Sequence, residues 1–129
     1  MTDTKKLIII VEDEPATAEM FAEMIRIMEY HPIKSLTGVQ AISLIAEKKP
    51  VAVVLDWMLP DIDGIEVLQF MRRDADLARI PVVLVSAIGN SSDIKNGLEH
   101  GASIFLEKPV SFQDFKNALE IAIQGSIII

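Results

Sequence analysis

Acidic, hydroxyl and amine side chains follow four short apolar segments of this chain. Glu12 and Asp13 follow the first segment, Asp56 the second, Ser86 the third and Lys108 the fourth. Mg²⁺ prefers carboxylate oxygens as protein ligands, together with water and phosphate oxygens. A carboxylate can also attack phosphorus, and ammonium and hydroxyl groups can bind the phosphoryl oxygens. The set is therefore typical of a site for a divalent cation and a phosphoryl group.

These side chains meet if the apolar segments are neighbouring strands of one parallel sheet. The predicted strands are Leu7–Val11, Val51–Leu55, Pro81–Val85 and Ser103–Leu106, with His31–Leu36 as a weaker candidate. Uninterrupted apolar runs are typical of parallel strands that helices cover on both faces. Ligands of open α/β sheets bind at the carboxyl ends of the strands. The sequence therefore predicts one site at that edge.

Amphipathic segments alternate with the predicted strands. The first begins at Pro15, a residue favoured in the first helical turn. Apolar residues recur at helical spacing in five groups: Met20, Phe21, Met24, Ile25 and Met28; Val39, Ile42 and Ile45; Ile65, Leu68 and Met71; Ile94 and Leu98; Phe112, Phe115, Leu119 and Ala122. The alternation predicts an α/β domain of (βα)5 type with parallel strands and right-handed crossovers.

Small polar residues and glycine mark the predicted helix boundaries. Thr37 and Ser111 are predicted N-caps of the second and fifth helices, and Ser91 or Ser92 caps the fourth. Gly101 is predicted to end the fourth helix.

Composition limits the classes of partner. The 129 residues form one domain, 1–129, with a formal net charge of −7 and a pI of about 4.7. Such a balance argues against direct nucleic-acid binding, which needs Lys and Arg, and against anionic membranes. The chain has no cysteine, and its polar N-terminus leads into an apolar run too short for a signal peptide. A cytoplasmic protein is expected.

Two acidic clusters have simpler explanations than metal binding. Glu12, Asp13 and Glu14 together are also typical of a helix start, where acids complement the dipole, and Glu14 before Pro15 is interpreted as a capping acid. Asp61–Gly64 resembles part of a calcium loop, but the twelfth position is Arg72 rather than glutamate. We interpret that segment as turn chemistry with a helix cap.

Four motifs, each after an apolar run, resemble one family over essentially the whole chain. They are Val11-Glu12-Asp13-Glu14, Leu55-Asp56-Trp57-Met58-Leu59-Pro60 with Gly64, Val85-Ser86-Ala87, and Glu107-Lys108-Pro109. The chain resembles the receiver domain of bacterial two-component response regulators. The resemblance implies a doubly wound, flavodoxin-like sheet of order 2-1-3-4-5. No output domain is expected within this chain, and a stand-alone receiver is favoured over a fragment.

The same resemblance implies a role for each matching residue. Asp56 accepts the phosphoryl group, and Trp57 and Ala87 help to bind it. The implied cofactor is Mg²⁺, with Mn²⁺ as an alternative. Its implied ligands are Glu12, Asp13, Asp56 and the backbone carbonyl of Met58.

Further implied roles concern catalysis and switching. Lys108 and Ser86 assist phosphoryl transfer, although the family more often has threonine at the position of Ser86. Ser86 and Phe105 form the switch, and the peptide bond between Lys108 and Pro109 is a candidate for the cis form.

The implied partners are proteins. A histidine kinase or histidine phosphotransfer protein donates the phosphoryl group, and the surface of helix 4, strand 5 and helix 5 then controls a downstream target or an effector domain absent from this chain. The final helix lacks the arginine typical of the family's DNA-binding members, so a monomer or weak homodimer is expected.

Two other functions fit the same residues less well. The first is a phosphate-independent interaction module with a vestigial site, which the complete set of polar positions disfavours. The second is a Mg²⁺-dependent phosphohydrolase with Asp56 as nucleophile. Met58 stands where the Asp-x-Asp mechanism needs its second acid, which disfavours that reading.

Overall fold

Five parallel strands form a single sheet in the computed structural model, which describes residues 6–87 and 91–127 and omits the side chains of residues 91–93, 126 and 127. The strands are β1 Leu7–Val11, β2 His31–Ser35, β3 Ala52–Asp56, β4 Val82–Ser86 and β5 Ile104–Glu107. Their order is β2-β1-β3-β4-β5, and every pairing is parallel. The predicted fold class is confirmed.

Each strand is followed by a helix, and the helices cover both faces of the sheet. They are α1 Pro15–Ile27, α2 Gly38–Lys48, α3 Gly64–Arg73, α4 Ser91–Glu99 and α5 Phe112–Ile127. On one face α1 and α5 meet through the stacked rings of Phe21 and Phe115, whose centroids lie 5.0 Å apart. On the other face α2 and α3 enclose a second apolar cluster, and α4 approaches it through Gly97.

The strands extend to the polar residues that follow the apolar runs. β3, β4 and β5 each begin and end one residue later than predicted, whereas β2 ends one residue earlier. Asp56 pairs with Val85, and Ser86 pairs with Glu107. Backbone pairing does not depend on side-chain polarity, so the ladder continues through the site residues and fixes their Cα positions.

Most predicted helix boundaries are confirmed. The Glu14 carboxylate accepts from Thr17 N at the start of α1, and the Thr37 hydroxyl accepts from Gln40 N at the start of α2. The Ser111 hydroxyl accepts from Asp114 N. Gly101 follows α4 with a φ of 107°, a left-handed conformation suited to glycine. The predicted caps Ser91 and Ser92 have side chains outside the described part of the chain.

Three residues assigned to apolar helix faces are exposed, contrary to prediction: Met20 is 40% exposed, Val39 is 59% exposed and Leu98 is 44% exposed. The buried side of α1 uses the small residues Ala18 and Ala22 beside its larger apolar residues. The buried line of α2 runs through Gly38, Ala41 and Ile45, so Val39 lies off that line.

No helix within residues 6–87 and 91–127 combines the length and apolar character needed to span a membrane.

Candidate functional site

Three carboxylates converge at the carboxyl edge of the sheet. Glu12 and Asp13 directly follow β1, and Asp56 is the last residue of the neighbouring β3. One oxygen from each of the three lies within 4.8 Å of the others. Glu12 and Asp56 are buried, whereas Asp13 is exposed. Hard oxygen donors that converge from two strands suit a divalent cation such as Mg²⁺.

Lys108 neutralises part of this charge. Its Nζ donates to Glu12 Oε1 at 2.7 Å and to Asp56 Oδ2 at 3.1 Å. Burial alone would lower the pKa of Lys108, but the hydrogen bonds to the two carboxylates outweigh it and raise the pKa above its ordinary value. Lys108 is therefore charged at neutral pH and links three parts of the chain at one point.

Glu12 is the carboxylate whose ionisation is most perturbed. Glu12 is only 1% exposed to solvent. This burial and the nearby Asp56 charge raise the pKa of Glu12 to about 7, against the opposing effect of the Lys108 hydrogen bond. A buried carboxylate without enough compensating charge disfavours its ionised form. The carboxylates of the site therefore carry more negative charge than Lys108 alone stabilises.

Substituting Glu12 by glutamine is expected to remove a pH-dependent loss of stability. In metal-free protein the unfolded chain releases the Glu12 proton near pH 4.5, but the folded chain retains it until about pH 7. The folded state therefore loses stability as the pH rises through that window. Above pH 7 we expect the free energy of unfolding of Glu12→Gln to exceed that of wild type by about 2 to 3 kcal/mol. Urea unfolding with a chelator measures the difference, which is expected to vanish below pH 4.5.

The segment after Asp56 folds tightly against the end of the sheet. Trp57 N donates to Val85 O at 3.0 Å, and Gly64 N donates to Trp57 O at 2.7 Å. Met58 N donates to Asp56 Oδ1 at 3.1 Å, and Met58 also forms an isolated antiparallel bridge with Asp63. These bonds hold the Met58 peptide beside the carboxylate cluster.

Gly64 is required by the close approach of this segment. A Cβ atom at position 64 would lie 2.9 Å from Trp57 Cα and would also collide with the Asp56 carbonyl oxygen. Backbone atoms cannot move aside as a flexible side chain does, so we expect Gly64→Ala to destabilise the fold by about 1 to 3 kcal/mol. Gly125 is the matched control, because a Cβ there meets nothing within 4 Å. Gly125→Ala is expected to be neutral or stabilising in the same urea unfolding assay.

Ser86 ends β4, and Lys108 directly follows β5. Ser86 is buried at the end of β4, and Lys108 N donates to Ser86 O at 2.9 Å. Ala87 follows and is exposed. The peptide bond between Lys108 and Pro109 is cis.

An aromatic pair connects the site to β5. Phe105 pairs with Leu84 in the sheet, and its half-buried ring lies edge-on to the ring of Trp57 with a centroid distance of 6.1 Å. Gly97 of α4 lies against both rings, since a Cβ there would meet Trp57 Cζ3 at 3.6 Å and Phe105 Cδ2 at 3.7 Å. Trp57 therefore contacts both β5 and α4.

Two side chains make long-range hydrogen bonds that the sequence does not predict, Asp61 near the site and Arg72 at the opposite, amino edge of the sheet. Asp61 accepts hydrogen bonds from α2, far away in sequence. Arg72 donates to the carbonyl oxygens of Gly101, Ala78 and Ile80 at 2.8–3.2 Å. An arginine in the last turn of a helix predicts interaction with carbonyl groups in general. No local signal indicates which distant carbonyls it reaches.

Comparison with known proteins identifies the family. The family model of the response regulator receiver domain matches residues 8–120. The chain belongs to this family. The matched residues include β2 to β5, all of β1 except Leu7, and every residue of the carboxylate and lysine cluster. A receiver domain is a phosphoacceptor signalling domain of response regulators.

Named relatives include both long and short response regulators. The receiver domain is 36% identical over 106 residues to the phosphate regulon transcriptional regulatory protein PhoB of Pseudomonas aeruginosa, covering 82% of this chain but 46% of PhoB. It is 30% identical over 110 residues to the polar-differentiation response regulator DivK of Brucella anthropi, covering 85% of this chain and 89% of DivK. The chain thus spans less than half of the length of PhoB and most of the length of DivK.

Solved structures agree with the sequence relatives. The signal receiver domain of a LuxO repressor protein from Vibrio parahaemolyticus has a TM-score of 0.89 and 27% identity, covering 96% of this chain and 94% of that one. The receiver domain of a sensor histidine kinase from Pseudomonas aeruginosa has a TM-score of 0.86 and 25% identity. The match covers 94% of this chain and 99% of that one. That structure is described with a magnesium ion coordinated in its active site cleft.

Proposed function

We propose that Asp56 accepts a phosphoryl group from a histidine kinase or a histidine phosphotransfer protein, in a reaction that requires Mg²⁺. The observation that supports this most is the cluster around Asp56. The carboxylate is buried, has an oxygen within 4.8 Å of oxygens of Glu12 and Asp13, and accepts a hydrogen bond from Lys108 at 3.1 Å. A structural carboxylate at the end of a strand needs no such acidic neighbours.

The proposed step transfers a phosphoryl group from nitrogen to oxygen. A carboxylate oxygen of Asp56 forms the new bond to phosphorus while the phosphorus–nitrogen bond of a phosphohistidine breaks. The electron pair of that bond remains on the imidazole nitrogen, which takes up a proton. The product is an aspartyl phosphate, which is an acid anhydride.

Glu12, Asp13, Asp56 and the Met58 carbonyl are the proposed protein ligands of the cation. The donor set consists of hard oxygens, which fits Mg²⁺ and also accommodates Mn²⁺. When bound, the cation offsets the repulsion between the Asp56 carboxylate and the anionic phosphoryl donor. A bound cation would also favour ionisation of Glu12, whose pKa is raised by burial.

The remaining polar groups are proposed to hold the phosphoryl oxygens. The Lys108 ammonium already lies beside Asp56 and supplies a charged donor. Ser86 ends the neighbouring strand and supplies a hydroxyl. Trp57 and Ala87 directly follow the ends of β3 and β4 and complete the proposed binding site.

Phosphorylation is proposed to change the surface formed by α4, β5 and α5. The new group adds charge and acceptor oxygens beside Ser86. The Phe105 ring contacts Trp57, so a movement of Ser86 and Phe105 reaches α4 through the aromatic pair. The changed surface then selects a downstream protein or an effector domain, as a shift between existing conformations. A cytoplasmic protein that is a monomer or weak homodimer fits this role.

Intact mass measurement tests the proposal. The protein is incubated with an acyl phosphate, with Mg²⁺ or with a chelator, and then weighed. We expect one phosphoryl group per chain with Mg²⁺ and none with the chelator. Unchanged mass in both samples would contradict the proposal. Repeated turnover of a phosphomonoester without a phosphorylated protein would favour a phosphohydrolase instead.

A further inference from the structure

Asp61 connects the segment after Asp56 to a different helix. Its Oδ1 accepts from Gly38 N at 2.9 Å, and its Oδ2 accepts from Val39 N at 2.8 Å. These amides belong to the first turn of α2, which begins 23 residues before Asp61. The two bonds hold the pKa of Asp61 below its ordinary value, so the side chain is ionised at neutral pH.

The first turn of α2 already has a cap of its own. Thr37 Oγ1 accepts from Gln40 N at 3.2 Å, and Thr37 O accepts from Ala41 N at 3.2 Å. Asp61 therefore satisfies the two amides that Thr37 does not reach. The amides of Gly38, Val39 and Gln40 have no carbonyl partner within the helix, and Asp61 and Thr37 together pair all three.

Apolar contacts seat the same segment on α2. A Cβ atom at position 38 would lie 2.8 Å from Ile62 Cδ1 and 3.3 Å from Leu59 Cδ1. These two side chains occupy the space left by the missing side chain of Gly38. The segment is thus held to α2 on both sides of Asp61, by residues 59 and 62 as well as by the carboxylate.

Met58 lies at the start of this seated segment. Its amide bonds to Asp56, and its backbone pairs with Asp63 across the turn. The turn from Met58 to Asp63 is closed at its base by these contacts and at its tip by Asp61. A movement of the tip away from α2 would therefore change the orientation of the Met58 carbonyl.

We propose that Asp61 is a positioning residue for the cation site, which fixes the Met58 carbonyl by anchoring its turn to α2. The inference rests on the proposed function, since it assumes that the carbonyl is a ligand. Groups that orient metal ligands affect affinity because they lower the cost of ordering the site. Removal of such a group typically weakens metal affinity by about 10- to 100-fold.

Mg²⁺ titration of the full chain tests the inference. The chain has one tryptophan, and Trp57 directly follows Asp56, so its emission reports cation binding. We expect Asp61→Ala to raise the Mg²⁺ dissociation constant about tenfold. Asp61→Asn retains one acceptor oxygen, and we expect an intermediate value. This variant keeps the test informative if Asp61→Ala does not fold.

Thr37→Ala is the matched control. It removes a cap from the same first turn of α2 but leaves the Asp61 bonds and the Met58 turn in place. We expect both alanine variants to unfold at lower temperature in a chelator, but only Asp61→Ala to show a smaller increase in Tm on addition of Mg²⁺. A purely structural role would leave the Mg²⁺-induced increase equal in the two variants.

The outcomes separate this inference from the proposed function. If wild type shows no Mg²⁺ response in emission or Tm, the proposed function fails at the cation site. If wild type binds Mg²⁺ and Asp61→Ala binds it as tightly as Thr37→Ala, the positioning role is wrong while the proposed function stands.

Discussion

Replacement of Asp56 by asparagine is expected to abolish phosphorylation completely. The amide oxygen of asparagine is a poor nucleophile, and its product would lack the acid anhydride of an aspartyl phosphate. The shape of the side chain is retained, and its single amide oxygen still accepts from one of the two donors that now bond separate oxygens of Asp56, Lys108 Nζ at Oδ2 and Met58 N at Oδ1. The variant is therefore expected to fold. After incubation with an acyl phosphate and Mg²⁺, its intact mass should remain that of the unmodified chain.

Glu107→Gln is the control for this result. Glu107 is an exposed carboxylate at the same edge of the sheet, and it pairs in register with Ser86. Its removal changes the charge by the same amount but leaves Asp56 in place. We expect this variant to gain one phosphoryl group as wild type does. Phosphorylation of Asp56→Asn to the wild-type extent would place the acceptor on another residue.

Replacement of Lys108 by methionine is expected to cause the largest loss of stability among the site variants. Methionine retains the apolar stem but leaves the buried carboxylates of Glu12 and Asp56 without their ammonium partner. Removal of one member of a buried ion pair typically costs about 3 to 5 kcal/mol. The Lys108 side chain is 23% exposed, so we expect a loss of about 3 kcal/mol, near the lower limit, at a pH well above 7, where Glu12 is ionised. Urea unfolding in the presence of a chelator measures this loss of stability.

A double-mutant cycle assigns this loss to the carboxylates. At a pH well above 7, where Glu12 is ionised, adding Glu12→Gln to Lys108→Met removes one of the two orphaned charges, so the double variant is expected to be more stable than Lys108→Met alone. Lys95→Met is the control for loss of a lysine, because Lys95 is 78% exposed and its only salt bridge among the described residues, to Glu99, is 3.8 Å long. We expect its effect to stay below about 0.5 kcal/mol. Equal losses for Lys95→Met and Lys108→Met would contradict the charge argument.

The sequence is sufficient to predict the sheet and the convergence of the site because both depend on local patterns. Apolar runs define the strands, and parallel strands bring their carboxyl ends to one edge. Polar residues at those ends must then be neighbours, as Asp56 and Glu12 are. The strand ends were misplaced by one residue because the apolar pattern stops at Leu55, while backbone pairing continues through Asp56.

The same local patterns do not predict the long-range contacts of polar side chains. The Asp61–Gly64 segment was interpreted as turn chemistry with a helix cap, and Asp63 does accept from Ile65 N at the start of α3. Asp61 bonds instead to α2, and nothing in its neighbourhood along the chain indicates that helix. The register of the turn against Gly38 decides the partner, and that register depends on packing. Exposure of Val39 has a similar origin, since helical periodicity does not give the rotation of α2 against the sheet.

Chemical mapping of the phosphoryl group tests the central claim most directly. Borohydride reduces an aspartyl phosphate to homoserine, which marks the acceptor permanently. Wild-type protein is phosphorylated by an acyl phosphate with Mg²⁺, reduced, digested and sequenced by mass spectrometry. Homoserine at position 56, dependent on both phosphodonor and Mg²⁺, is the predicted result. Homoserine at another aspartate, or a phosphoryl group that remains on serine or histidine after reduction, would contradict the account.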